Sequence, residues 1–197
     1  MMTTDDKNFL LNQVQTDVSL ISFLTVISVF FTGALLPQFN SYDPSVRVPV
    51  SFLIVSTFAF LFSALILSNA GQRITEGDAQ KTEKYLTWGY IISEYMGVFL
   101  FIFSIPLAMS IITTDAYLRA ITSFSVVIGM GFYQFMGFSL LESHFTKSSK
   151  LFSFLTLLLG VGLFASQAFA FHFTEASIVF LLFIVLVTCL APVKRVQ

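Results

Sequence analysis

The sequence predicts an all-α, polytopic membrane protein: a transmembrane bundle of six spans with N- and C-termini in the cytoplasm. Three observations lead there. Hydrophobic residues fill 56% of the 197 positions and charged residues 11%, with a mean hydropathy of +0.85, whereas soluble domains carry about 25% charged residues. Six apolar stretches are long enough to cross a bilayer. Lysine and arginine, finally, collect on alternate connections between those stretches.

A span needs roughly 20 apolar residues to cross about 30 Å of hydrocarbon. The first stretch runs from Val18 to about Leu36 and is ended by Pro37; the second runs from Val50 to about Ala70, after Pro49 and before Gly71. The third covers about Tyr85 to Ile112, the fourth Leu118 to Leu141, the fifth Leu151 to Phe171 and the sixth Ala176 to Pro192. Only His172 to Glu175 separate the last two. As one helix, residues 151–193 would reach roughly 65 Å, twice the hydrocarbon thickness, so a hairpin is expected there.

Six spans divide the basic residues eight against two. Lys7, Arg73, Lys81, Lys84, Lys147, Lys150, Lys194 and Arg195 share one side, and Arg47 and Arg119 lie on the other. The excess marks the cytoplasm. The expected organisation is a cytoplasmic extension over residues 1–17, a membrane domain over 18–193 and a tail over 194–197. The extension carries Asp5, Asp6 and Asp17 against Lys7, the wrong sign for a secretory leader. Residues 72–84 read as a short polar cytoplasmic linker with some helix.

Net charge of −1 gives no reason to expect a nucleic-acid partner; the lipid bilayer is the expected one, with a homo-oligomer or other membrane proteins as further candidates. A single cysteine, Cys189, excludes an internal disulfide, and His144 and His172 lie far apart. No metal or cofactor is expected. Intramembrane hydrolases need paired carboxylates, a Ser/His pair or a metal cluster at one depth, and no such set is legible, so enzyme chemistry is not expected.

One carboxylate stands inside a span. Glu94, in Ser93-Glu94-Tyr95-Met96-Gly97, lies about 12 Å from the cytoplasmic end of its helix. Keeping an ionisable group there costs a few kcal/mol, so it normally faces the bundle interior or a water-filled cavity. Depth counting places Gln134, Tyr133, Tyr95, Ser63 and Thr25 near the same layer, a candidate ion or proton site with Gln134 as partner. The alternatives are a protonated Glu94 hydrogen-bonded across helices for packing alone, or a third helix that starts later and leaves Glu94 near the headgroups.

Small residues at four-residue spacing form candidate packing ridges: Gly89, Ser93 and Gly97 in the third span, Ser125 and Gly129 in the fourth, Gly162 and Ser166 in the fifth. Such ridges let helices approach closely, within the fold or between protomers. Pro106 is a candidate hinge. The resulting functional expectation is an oligomeric channel or small ion or solute transporter in the plasma membrane. The alternative is a non-transporting subunit, scaffold or sensor of a membrane complex.

Overall fold

The computed structural model describes residues 4–38, 44–135, 147–169 and 171–190. Among them the regular structure is entirely helical. Six main helices follow in order: α1 Thr4–Leu35, α2 Arg47–Glu76, α3 Ala79–Ile112, α4 Ala116–Phe135, α5 Lys147–Ala168 and α6 Phe173–Leu190. Five of them (α1, α2, α3, α4 and α6) are long and apolar enough to cross a membrane, and α5 contributes a shorter described apolar stretch, Phe154–Ala168. The end of the expected fourth span, residues 136–141, lies outside the described residues, as do the side chains of Lys147 and Lys150.

α1 begins well before the apolar run and continues through it without interruption. Its buried residues Val14, Asp17, Ile21, Thr25, Ser28 and Leu35 recur at helical spacing and form one stripe. α2 lies antiparallel along this stripe. Leu11 and Val14 approach Gly71, and Ser28 meets Leu53, Ser56 and Thr57. The Ser28 hydroxyl is 3.1 Å from the Leu53 carbonyl, 3.1 Å from Ser56 Oγ and 2.8 Å from Thr57 Oγ1. Hydrogen bonds of this kind join helices where apolar surroundings give them little hydrophobic incentive to associate.

The second helix does not end near Ala70, and the polar stretch after it, expected as a linker with some helix, is helical except for a two-residue turn. α2 runs on to Glu76, and only Gly77 and Asp78 separate it from α3. The reason is local. Gly71 keeps helical geometry and offers a flat surface to α1, while Gly77 takes the left-handed conformation (φ 79°) that ends a helix. The Gly77 N–H donates to the carbonyls of Arg73 and Ile74, and Asp78 then caps α3 by accepting from the Lys81 N–H at 3.1 Å. Two capping signals back to back make a tight hairpin.

α3 is the central element. α2 packs along it, and α6 joins through Phe180, whose ring lies 5.7 Å from Phe52 and 5.3 Å from Phe103. Phe103 also meets Phe164 of α5 at 5.4 Å. α5 and α6 are separate helices joined at Phe171 and His172, where His172 adopts φ 44°, an uncommon conformation that histidine tolerates better than most residues. α4 stands at the periphery, with Met130 its buried apolar residue among those described.

Candidate functional site

The residues from Ile92 to Phe99 wind as a π-helix inside α3. A π segment pairs each N–H five residues back instead of four, which costs backbone geometry and is frequent at functional sites. Glu94 lies in this segment with only 3% of its surface exposed. Fifteen residues of α3 precede it, so the helix does not start late enough to leave this carboxyl at its mouth. Tyr95, one residue on, is buried too, its ring edge-on to Phe99 at 5.3 Å.

Of the expected polar layer, Glu94, Tyr95, Ser63 and Thr25 are buried. Ser63 of α2 is fully buried and its hydroxyl donates to the Gly89 carbonyl at 2.7 Å, which joins α2 to α3 just before the π segment. Thr25 is buried as well, but its hydroxyl donates to the Ile21 carbonyl of its own helix at 2.9 Å. It therefore contributes no cross-helix bond through that proton. Tyr133 is half-buried on α4. Gln134 belongs to α4 by backbone, while its side chain, the expected partner of Glu94, lies outside the described residues.

A second polar group was not anticipated. The Tyr90 hydroxyl donates to Asp17 Oδ2 at 2.6 Å, linking α3 to α1 across 73 residues of chain. Asp17 is 8% exposed and Tyr90 is buried. Counting spans from the sequence leaves Asp17 just outside the first one, as part of a solvated extension. The available signal is its spacing: Asp17 sits four residues before Ile21 and eight before Thr25, on the buried stripe of α1. Tyr90 lies one turn before Glu94 on α3, so the two carboxyls bracket a single turn of that helix.

Of the candidate ridges, the one on α3 packs within the chain. A methyl group on Gly89 would come within 2.7 Å of the Leu67 side chain, and one on Gly97 within 2.5 Å of the Phe60 ring; Ser93 is buried between them. On α4 and α5, Gly129 and Gly162 face open space and Ser125 is exposed. Ser166 is half-buried and turns its hydroxyl to the Leu163 carbonyl of its own helix. The glycine that seats α5 is Gly160, against Phe103. Pro106 is buried inside α3, which continues as a helix on both sides of it.

At the expected cytoplasmic end two ion pairs form between close neighbours in the chain. Arg73 pairs with Glu76, Lys81 pairs with Asp78 at 3.0 Å, and the Lys7 ammonium lies over Gly77. The hydrogen bond from Lys81 holds the Asp78 carboxyl below the usual carboxylate range. At the other end, Asp115 caps α4 by accepting from the Tyr117 and Leu118 N–H groups. Gln167 there donates to the Leu107 carbonyl at 3.1 Å, and His172 lies 3.7 Å from Glu175. Among the described residues no three His, Cys, Asp or Glu side chains group as metal ligands. No protein-family model matches this chain, and no curated protein or solved structure shows significant similarity to it.

Proposed function

We propose that this chain is a six-span protein of the plasma membrane with cytoplasmic termini, acting as an oligomeric channel or small ion transporter centred on Glu94. The observation that carries the reading is a carboxyl 3% exposed within a π-helical turn of the central helix. Both features are costly, the buried ionisable group and the irregular backbone, and a packing helix needs neither. The eight-to-two distribution of basic residues supports the orientation, which places Glu94 in the inner half of the bilayer.

The test is ion flux in proteoliposomes of purified protein, with Glu94→Gln as the comparison. Flux that the substitution abolishes supports the reading; flux equal in both proteins, or none under gradients of protons, Na+, K+ and Cl−, counts against it. Cysteine-accessibility labelling at positions 3 and 196 checks the orientation, since both should react only from the cytoplasmic face.

The second reading, a non-transporting subunit or scaffold, rests on a different observation. Gly129 and Gly162 face open space and Ser125 is exposed, as on helices that receive another protein. Fixed partners that co-purify in mild detergent, together with absent flux, would favour it.

A further inference from the structure

The Asp17–Tyr90 pair has no part in the reading above. Asp17 is more than nine-tenths buried, yet the Tyr90 hydroxyl is its one hydrogen-bond partner among the described residues. An ionised carboxylate so enclosed is normally matched by a cation. Among the described residues no cation pairs with Asp17: Arg73 pairs with Glu76 and Lys81 with Asp78, the Lys7 ammonium lies near Gly77, and Lys84 is exposed. From α2, which lies along α1 at this level, residues 63–71 present no titratable side chain. From α3 the titratable groups nearest in sequence to the contact are Tyr85, Tyr90, Glu94 and Tyr95.

Metal cations fit the pair poorly. Na+-, Mg2+- or Ca2+-like ions gather about six or more oxygen ligands. Asp17 supplies two oxygens and the Tyr90 hydroxyl a third, well short of such a shell among the described contacts. A proton needs only one acceptor. Gln13, Gln15 and Thr16, just before Asp17 in the chain, are exposed.

We propose that Asp17 is a proton-accepting station on the cytoplasmic side of Glu94, held in place by Tyr90, and that the species moved through the Glu94 site is H+. The inference rests on the transport reading and names its substrate. The step makes one O–H bond on Asp17 as a hydronium ion gives up one, and the reverse releases the proton towards the deeper carboxyl, so no oxidant, reductant or co-substrate is involved.

The test exploits an isosteric change. Asp17→Asn keeps an amide oxygen able to accept from Tyr90 but cannot carry the proton, so a purely structural pair would survive it. Proton flux in proteoliposomes, read with an internal pH dye, is expected to fall about a hundredfold in Asp17→Asn, the usual scale for losing a positioned proton-transfer group, with thermal stability kept. Asp17→Glu should restore most of it. Tyr90→Phe leaves the carboxyl but removes its donor, and should move the pH of half-maximal flux even if Asp17→Asn does not fold.

Flux unchanged by Asp17→Asn, or a pH profile unmoved by Tyr90→Phe, overturns the inference while a Glu94→Gln loss keeps the transport reading. A Glu94-dependent current of Na+ or K+ without protons does the same. Wild-type protein that conducts nothing, or proton flux unaffected by Glu94→Gln, removes both.

Discussion

Two glycines two residues apart on α5 should respond in opposite ways to the same substitution. A methyl group at Gly160 would lie 2.2 Å from Phe103 Cε1 and 2.4 Å from Cζ, against an optimal carbon–carbon separation of about 3.5–4.0 Å. The ring would have to retreat by more than 1 Å. It has little room to do so, because Phe103 is fully buried between Phe164 at 5.4 Å and Phe180 at 5.3 Å. Overpacking of this kind costs about 1–3 kcal/mol. At Gly162 the methyl would meet nothing within 4 Å. Both substitutions gain the same helix propensity, about 1 kcal/mol, so that term cancels between them. Gly160→Ala is therefore expected to be less stable than Gly162→Ala by about 1–3 kcal/mol, or several degrees in Tm at about 2–4 °C per kcal/mol. Thermal unfolding in mild detergent, followed by circular dichroism at one protein concentration, measures the difference. Phe103→Leu should recover part of the loss in Gly160→Ala and none in Gly162→Ala. Equal stability of the two alanine variants would refute the seating of α5 on α3 through Gly160.

The remaining expectations concern single polar contacts. Tyr90→Phe strands the buried Asp17 carboxyl and should lower stability by about 1–3 kcal/mol, with a less-than-additive cost in the Asp17→Asn, Tyr90→Phe pair; additivity in a double-mutant cycle would deny the bond. Ser63→Ala removes the donor to the Gly89 carbonyl and should cost about 0.5–1.5 kcal/mol, measured by the same unfolding. At Asp78 the folded carboxyl titrates below its unfolded value, so its contribution is full above the ordinary carboxylate range. It is lost as the pH falls through the lower folded value. Wild-type Tm should drop on acidification through that window by more than the Tm of Asp78→Ala, and parallel curves would contradict the Lys81 contact.

Much of the architecture was legible because its causes are local. Composition and the length of each apolar run call for helices of membrane-spanning size, since a backbone in hydrocarbon must satisfy its own N–H and C=O groups. Glu94 stood out by the same logic, as an ionisable group in an apolar run, and the α3 ridge of Gly89, Ser93 and Gly97 followed from spacing alone. The break between α5 and α6 was required by length. Local capping chemistry was also present in the chain at Gly77-Asp78, although the polarity around it read as a linker.

What the sequence could not decide was which surface of each helix meets which neighbour. Gly160 and Gly162 are chemically identical, and only the position of Phe103 makes one a contact and the other open. Asp17 looks like part of a charged extension until α2 and α3 close over the stripe of α1 that carries it, and its bond to Tyr90 spans 73 residues. Likewise, no propensity distinguishes a π-helical turn at Ile92–Phe99 from an ordinary one. Hydrophobic patterning specifies that a residue leaves water, a property of one chain segment, whereas pairing depends on helix crossing and depth, which arise only when distant segments pack.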